Sequence, residues 1–363
     1  MSVRELYVIS RMDIGGAERI ILQLCAAAVT RGDHAAVASS GGVWVDRLLD
    51  AGVPHHPLVR MRRNPLRMAQ ATWQLRGVIR REQPEVIHAV NVKVTAVTRA
   101  ALGRRGRRTI PIVSSVHGVP NDEYPRAVDV LQRASARVIA CAPAVAAHLT
   151  TAGMDASSID TVTNAVALEP ATTARIESMR DRIGRADPRP VVVGVGRLVD
   201  QKDWPLWISV AAATPHARFL IAGDGPLRAE LEALARQAGN VTLLGRVDDV
   251  AALHGNADVL LSTSKWEGLP LSMLEAMSLG VPAVVTAVDG VVDAVPETAA
   301  VLVPPTGRVA IVDALQRVLS DADECRRLSE EGRRVASSPT AAEVTDGYVR
   351  VHRAAIQQFA HGR

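Results

Sequence analysis

Short apolar runs alternate with longer segments of helical periodicity along the whole chain. The runs are continuous, as expected of parallel strands buried on both faces. They predict strands at Leu6–Ser10, Ala35–Ser39, Val86–Ala89, Ile112–Val116, Arg137–Ala140, Val191–Gly194, Arg218–Ala222, Val241–Leu244, Val259–Ser262, Ala283–Thr286 and Ala300–Val303. Helical periodicity predicts helices at Ala17–Arg31, Leu66–Gln83, Pro226–Ala238 and Ala310–Leu319. Repeated strand–helix units indicate parallel sheets with right-handed crossovers, so we predict an α/β fold.

A polar segment with several prolines interrupts this pattern at residues 165–190. Glu169-Pro170 follows an apolar strand, and Asp187-Pro188-Arg189-Pro190 precedes the next one. We interpret the segment as a linker between two doubly wound, Rossmann-like domains, which also suits a chain of 363 residues. The predicted domains are 1–170 and 171–345, and the helix at 346–363 is expected to pack back on the first. Their strand ends would face a shared cleft.

The formal net charge of +4 conceals an asymmetry between the two halves. Residues 1–170 carry 21 Lys and Arg against 14 Asp and Glu, a net +7, and residues 171–363 carry 21 against 24, a net −3. Residues 60–108 alone hold 13 basic and 2 acidic side chains. This patch suggests an anionic partner, whether nucleic acid, a membrane surface or a phosphorylated substrate. No aromatic platform accompanies Arg104–Arg108, which disfavours nucleic acid.

The lack of a recognisable membrane span, signal peptide or metal-binding cysteine spacing in the sequence indicates an intracellular protein without metal. No apolar run is long enough to span a membrane, and the N-terminus is typical of a first strand rather than a signal peptide. We therefore expect a cytoplasmic protein. Cys25, Cys141 and Cys325 offer no Cys-x-x-Cys spacing, so neither a disulfide framework nor a zinc site is predicted. Asp321-Ala322-Asp323 is interpreted as a helix cap rather than a metal motif.

Two candidate features follow strands of the first domain. Gly15-Gly16-Ala17-Glu18 opens a helix, where glycine permits close approach of a ligand and the helix N-terminus favours an anion. A tight structural turn is an equally valid interpretation. The motif lacks the Gly-x-Gly-x-x-Gly spacing of dinucleotide sites, which disfavours nicotinamide and flavin cofactors. His117 ends another strand and could hydrogen-bond a sugar hydroxyl or move a proton.

The second domain carries a denser constellation. Arg197 and Lys202 follow its first strand and could bind adjacent phosphates. Glu267 and Glu275 flank a helix start, with free backbone amides expected near Leu271 and Ser272. Two carboxylates could form a glycosidase pair, but the anion site between them favours binding of a sugar phosphate. Asp224, in Gly-Asp-Gly-Pro after the next strand, is interpreted as structural.

Taken in order, these motifs resemble those of the family 4 retaining glycosyltransferases, which have the two-Rossmann GT-B architecture. The resemblance spans almost the whole chain, and its most specific part is the Glu-x7-Glu segment with the upstream Arg and Lys. The motifs that carry it are Gly15-Gly16-Ala17-Glu18, His117-Gly118, Gly196-Arg197-Leu198 with Lys202, Gly223-Asp224-Gly225-Pro226, and Glu267-x7-Glu275 followed by Ala276-Met277 and Gly280-Val281-Pro282.

The resemblance assigns roles to individual residues. It implies that Arg197 and Lys202 neutralise the donor diphosphate, helped by the amides near Leu271 and Ser272. Glu275 would bind the ribose hydroxyls and Glu267 the hydroxyls of the donor sugar. The remaining implied positions are Val247 at the nucleotide base, Gly16 near the diphosphate and acceptor, and His117 near the anomeric carbon.

The chain departs from the family pattern in two places. Asn164-Ala165-Val166-Ala167 stands where the family often has Asn-Gly-Val-Asp, which affects the interdomain loop. Asp289-Gly290 stands where Gly-Gly is frequent, which puts Asp289 near the site and leaves the acceptor-side geometry open.

The expected reaction moves a hexose or N-acetylhexosamine from a nucleotide diphosphate donor, a UDP-sugar above all, with retention of configuration and without cofactor or metal. The expected acceptor is a polyprenyl-linked or other glycan, with the basic domain near the inner face of the plasma membrane. Alternatives are a small soluble acceptor, a GT-B nucleotide-sugar epimerase, and a non-catalytic partner of an active subunit.

Overall fold

The computed structural model describes residues 2–13, 15–61, 64–106, 109–166, 168–184, 187–305 and 307–361. They form two compact units. One comprises Met1–Asn164 with Ala341–Arg363, and the other is Ala165–Thr340. The divisions therefore lie a few residues before positions 170 and 345, where the sequence placed them.

The first unit is a seven-stranded parallel sheet with helices between its strands. Its strand order is β3-β2-β1-β4-β5-β6-β7. The elements in chain order are β1 Arg4–Val8, α1 Gly16–Thr30, β2 His34–Ser39, α2 Val45–Asp50, β3 His55–Pro57, α3 Pro65–Glu82, β4 Val86–Val90, α4 Val92–Gly106, β5 Ile112–Val116, α5 Tyr124–Ala134, β6 Arg137–Ala140, α6 Pro143–Thr151 and β7 Ile159–Thr161.

The second unit is a six-stranded parallel sheet of order β10-β9-β8-β11-β12-β13. Its elements are α7 Thr173–Arg182, β8 Val191–Val195, α8 Trp204–Ala212, β9 Arg218–Ala222, α9 Arg228–Ala238, β10 Val241–Gly245, α10 Val250–His254, β11 Val259–Ser262, α11 Leu271–Ser278, β12 Ala283–Thr286, α12 Asp289–Val292, β13 Val301–Val303, α13 Arg308–Ser320 and α14 Ala322–Ala336. Trp207 and Phe219 are fully buried in its core and stack edge to face.

The last helix, α15 (Ala341–His361), belongs to the first unit. Gln23 of α1 donates from Nε2 to Thr345 Oγ1 at 2.9 Å and to the Ala341 carbonyl at 2.5 Å. Gly347 lies so close to Val162, the residue after β7, that a Cβ there would stand 2.8 Å from Val162 Cγ1. The beginning of the helix thus packs against α1 and the segment after β7, and a later turn contacts the central strands β1 and β4 through His352.

The continuous apolar runs predict the central strands well, but two expected boundaries are wrong and two edge strands were not predicted. β1 starts at Arg4 and ends at Val8, rather than extending from Leu6 to Ser10. The helix expected from Pro226 begins at Arg228, because Pro226 and Leu227 form a turn. The edge strands β3 and β7 were missed. Each has three residues and no apolar run, so periodicity could not reveal them.

No helix in the described ranges is both long enough and apolar enough to cross a bilayer. The helix cap expected at Asp321 is confirmed. Its Oδ1 accepts from the amides of Asp323 and Glu324, each at 3.0 Å. The apparent Asp-x-Asp motif therefore begins a helix.

Candidate active site

A buried ion pair forms the centre of the candidate site in the second unit. Lys202 Nζ donates to Glu267 Oε1 at 2.5 Å, and Ser264 Oγ donates to the same oxygen at 2.6 Å. The Glu267 side chain is only 7% exposed and that of Lys202 is 18% exposed. Because the Lys202 ammonium and the Ser264 hydroxyl both donate to one oxygen of Glu267, this carboxylate is fixed in position before any ligand binds. Sequence reasoning missed Ser264, although a hydroxyl just after a strand's carboxyl end is a usable signal.

Backbone contacts join the two segments that carry this pair. Thr263, just after β11, donates from Oγ1 to the carbonyls of Lys202 and Asp203, at 3.0 and 3.1 Å. Gln201 Nε2 donates to the Trp266 carbonyl at 3.0 Å, and Lys265 N–H donates to the Gln201 carbonyl at 2.8 Å. The segment after β8 and the segment after β11 therefore hold each other in register at the carboxyl edge of the sheet.

Two glycines permit close approach of these loops. A Cβ on Gly223, where φ is +153°, would stand 1.8 Å from the Gly196 carbonyl oxygen. A Cβ on Gly290 would stand 2.3 Å from the Glu267 carbonyl oxygen. Gly290 therefore belongs to the packing of the Glu267 loop. Asp224 Oδ1 accepts from Gly225 N–H at 2.8 Å, which agrees with the structural interpretation of this aspartate.

Arg197 is the accessible cation of the site. Its side chain is exposed, and its guanidinium makes no recorded hydrogen bond or ion pair with any residue that the structure describes. Its carbonyl accepts from Trp204 Nε1 at 2.8 Å, which fixes the backbone. Lys202 differs, because its charge is engaged by Glu267. The structure therefore places one open cation and one compensated cation after β8.

The start of α11 offers fewer open amides than the sequence predicts. Leu271 N–H donates to the Leu269 carbonyl at 3.0 Å, so the expectation of an open amide at Leu271 is wrong. Within the described ranges no acceptor is recorded for Ser272 N–H. Ser272 and Lys202 line the same small pocket, together with Thr263. Glu275 is buried one turn into the helix, with 8% of its surface exposed.

Val247 follows β10 and is buried, with 4% of its surface exposed. The preceding Gly245 has φ +69°, the left-handed region that favours glycine, and its carbonyl accepts from Gly223 N–H at 2.8 Å. The turn that precedes Val247 is therefore held to the Gly-Asp-Gly-Pro loop.

Gly16 and His117 lie in the first unit, Gly16 at the start of the helix that follows β1 and His117 directly after β5. Gly16 is the first residue of α1, and Gly15 is its N-cap. Half-buried His117 follows β5, with Nε2 3.3 Å from Ser115 Oγ. Burial lowers the pKa of His117 to about 4, so its imidazole is neutral at neutral pH. It can therefore donate or accept a hydrogen bond there without carrying charge.

The described residues include no cluster of three or more His, Cys, Asp or Glu suited to a metal ion. Cys25, Cys141 and Cys325 form no disulfide among the residues described.

Two family models together account for most of the chain. The model described as "Glycosyltransferase Family 4" matches residues 14–170, and "Glycosyl transferases group 1" matches residues 175–335. The two parallel-sheet α/β units have the GT-B class of architecture, as do solved glycosyltransferase structures of the same fold. The chain belongs to the group 1, family 4 glycosyltransferases.

Curated relatives match parts of the chain. Sulfoquinovosyl transferase SQD2 of Arabidopsis thaliana is 30% identical over 60% of this chain and 46% of its own length. The 2-deoxystreptamine glucosyltransferase of Streptomyces kanamyceticus is 33% identical over 42% of each chain. The Escherichia coli UDP-Gal:alpha-D-GlcNAc-diphosphoundecaprenol alpha-1,3-galactosyltransferase is 32% identical over 32% of this chain and 35% of its own. The matched part spans less than half of each relative.

A solved structure matches the fold over nearly the whole chain. HepE (Alr3699) of Anabaena, in complex with UDP and glucose, superposes with a TM-score of 0.82 at 19% identity, covering 96% of this chain and 98% of that one. At this identity the likeness establishes the fold alone.

Proposed function

We propose that this protein transfers a hexosyl or N-acetylhexosaminyl group from a UDP-sugar to a hydroxyl of a glycan or lipid-linked glycan, with retention of anomeric configuration. The observation that carries the proposal is the Glu267 carboxylate, fixed by Lys202 and Ser264, together with the exposed Arg197 in the same segment after β8 as Lys202. A carboxylate held in place can accept hydrogen bonds from sugar hydroxyls, and an exposed guanidinium can donate hydrogen bonds to a diphosphate. HepE, a protein of the same fold, binds UDP and glucose.

In the proposed reaction, the bond between the anomeric carbon and the diphosphate oxygen breaks, and a bond to the acceptor oxygen forms on the same face. The acceptor's proton passes to the leaving diphosphate oxygen, so the products are the glycosylated acceptor and UDP. Arg197 stabilises the negative charge that grows on the diphosphate. Lys202 contributes less open charge than Arg197, because it already neutralises Glu267. Neutral His117 hydrogen-bonds the donor sugar, and Glu275 binds the ribose.

Helix α3 supports an acceptor at an anionic lipid surface. Leu66 and Trp73, seven positions apart on one face, are 81% and 76% exposed. Arg67, Arg80 and Arg81 are exposed on the same helix. Exposed apolar and aromatic side chains among arginines are typical of helices that lie at a membrane interface. Positions 62, 63, 107 and 108 of the basic region lie outside the described residues. The E. coli relative is named for a diphosphoundecaprenol-linked acceptor.

The experiment is a panel of nucleotide sugars assayed for nucleotide release, with and without polyprenyl-diphosphate-linked glycans and small soluble acceptors. We expect UDP release that depends on a lipid-linked acceptor, and a product of unchanged anomeric configuration. Glu267→Gln should lower turnover roughly a hundredfold, whereas Glu297→Gln, which changes an exposed carboxyl of the same unit, should not.

The other outcomes each contradict a part of the proposal. Free sugar released without an acceptor would identify an epimerase instead. Transfer only to soluble acceptors would overturn the lipid-linked acceptor, and an inverted product would overturn retention. An absence of donor binding by calorimetry would indicate a non-catalytic partner.

A further inference from the structure

A chain of buried polar side chains crosses the sheet of the first unit and ends at His117. Its members come from three strands and the last helix: Glu5 on β1, His88 on β4, Ser115 on β5 and His352 on α15. None of these four is more than 3% exposed. The rings of Tyr7 and Tyr348 flank His88, with centroids at 5.7 and 5.5 Å. Because little water can reach these side chains, they must form their hydrogen bonds with one another.

The hydrogen bonds along this chain are continuous. Glu5 Oε1 lies 3.0 Å from His352 Nδ1, and His352 Nε2 lies 2.9 Å from His88 Nδ1. His88 Nε2 lies 2.9 Å from Ser115 Oγ, which lies 3.3 Å from His117 Nε2. We call Glu5, His352, His88 and Ser115, which lead to His117, the histidine relay.

The Glu5 end of the relay carries a negative charge. Tyr7 donates its hydroxyl to Glu5 Oε2 at 2.6 Å. Although burial opposes ionisation of Glu5, hydrogen bonds from His352 and Tyr7 and the charges of His352 and Arg31 hold the Glu5 pKa below its ordinary value. A carboxylate only accepts hydrogen bonds, so His352 Nδ1 must carry a proton. A carboxylate this deeply buried also requires a nearby positive charge, and the His352 ring lies within hydrogen-bond distance of it.

The protonation of His352 sets the direction of every later hydrogen bond. If His352 is an imidazolium, its Nε2–H donates to His88 Nδ1, and His88 Nε2–H donates to Ser115. Ser115 then donates to His117 Nε2, which leaves the proton of neutral His117 on Nδ1. If His352 is neutral, each bond reverses, and the proton of His117 lies on Nε2. Burial and the neighbouring His352 lower the pKa of His88 well below its ordinary value, consistent with a neutral ring in the middle of the relay.

We infer that the histidine relay selects the tautomer of His117, so that its Nδ1–H points away from the relay as a hydrogen-bond donor, and that His88, Ser115 and His352 are positioning residues. Within the described ranges no partner is recorded for His117 Nδ1, so this atom remains available to a ligand. The expected effect on catalysis rests on the proposed function, in which the His117 Nδ1–H donates a hydrogen bond to the sugar of the nucleotide sugar. The selection of the tautomer does not depend on that function.

Strand β5 supplies a matched control. Ser114 is fully buried next to Ser115, and its side chain lies on the opposite face of the strand. Its Oγ lies 2.8 Å from Thr95 Oγ1 and 2.7 Å from Ser135 Oγ. Ser114→Ala therefore removes the same hydroxyl, in an equally buried place, without touching the relay.

The experiment is nitrogen NMR of the histidine rings in the full-length protein without substrate, because protonated and unprotonated ring nitrogens resonate in separate ranges. We expect wild-type His117 to carry its proton on Nδ1. Glu5→Gln removes the carboxylate that would favour an imidazolium at His352, so the His117 proton should move to Nε2. Ser115→Ala should leave a mixture of both tautomers, and Ser114→Ala should leave the wild-type pattern.

Turnover adds a second readout. Ser115→Ala and Glu5→Gln should lower kcat/KM roughly five- to tenfold, the worth of one well-placed hydrogen bond, while Ser114→Ala should not. A wild-type proton on Nε2, or a His117 spectrum unchanged by both relay variants, would overturn the relay even if glycosyl transfer is normal. Tautomer changes without a change in kcat/KM would overturn the positioning role. If the tautomers behave as expected but no transfer is found, the proposed function fails and the tautomer selection stands.

Discussion

The two units hold their candidate residues in different ways. In residues 165–340, Lys202, Glu267 and Ser264 are in direct contact, and the loops that carry them are hydrogen-bonded to each other. In the first unit, His117 is hydrogen-bonded through Ser115 to a buried relay, and the arginines of α3 are exposed. Side chains that are already held in place suit a ligand group of fixed shape, such as a nucleotide diphosphate. Exposed charge suits a larger, variable partner and is screened by salt.

The largest expected effect concerns the open cation of the second unit. Arg197→Ala should lower turnover roughly 10²- to 10³-fold, because no other described cation of this loop is free to meet the charge on the leaving diphosphate. Initial-rate measurements with a folding check by circular dichroism test this. Arg236→Ala, which changes an exposed arginine of α9, is the matched control. Near-wild-type transfer by the Arg197 variant would remove this side chain from the mechanism and weaken the contrast between open and compensated charge.

The next effect concerns α3. Replacing Arg67, Arg80 and Arg81 together with Gln should weaken binding to anionic vesicles roughly a hundredfold at low salt, since each basic side chain near such a surface contributes about 1 kcal/mol. Co-sedimentation at low and high salt measures this, and turnover with a soluble acceptor should change little.

The control for α3 has the same loss of net charge in the other unit. Gln replacements of Arg236, Arg326 and Arg334, all exposed, should leave vesicle binding unchanged. Equal losses in both triple variants would show that total charge, rather than the α3 surface, determines binding.

Much of this fold follows from local pattern. Fully buried parallel strands such as β8 read as continuous apolar runs, because both faces pack against helices. The edge strands β3 and β7 could not be predicted this way, since each has only three residues and no continuous apolar run. Spacing alone also marked Glu267 and Arg197 as candidates.

Contacts between segments that are far apart in the chain could not be predicted from the sequence. Lys202 and Glu267 are 65 positions apart, and each was assigned a ligand rather than the other as its partner. The Leu271 N–H, which we expect to be open, donates to the Leu269 carbonyl instead, a contact that depends on the geometry of the turn. His352 meets Glu5 across 347 positions, because α15 returns to the first sheet. Such pairings depend on topology and helix packing, which a single sequence does not encode in its spacing.

The smallest expected effect compares buried histidines in the two units. His88 is hydrogen-bonded through both ring nitrogens, whereas neither nitrogen of His254, on α10, has a hydrogen-bond partner among the described residues. Burial lowers the pKa of His254 to about 4. Since the unfolded chain binds the proton near pH 6.5, His254 makes folding less favourable as the pH falls from 6.5 towards 4, and has no such effect above 6.5.

His254→Leu should therefore raise the free energy of unfolding by about 1–3 kcal/mol at pH 7, because an unsatisfied buried group is removed. The advantage over wild type should widen as the pH falls below 6.5. Urea unfolding at several pH values measures both quantities. His216→Leu, at an exposed position of the same unit, should stay within about 0.5 kcal/mol of wild type. A His254 variant that is less stable than wild type at every pH would mean that this ring has a partner in solution, and the contrast with the histidine relay would disappear.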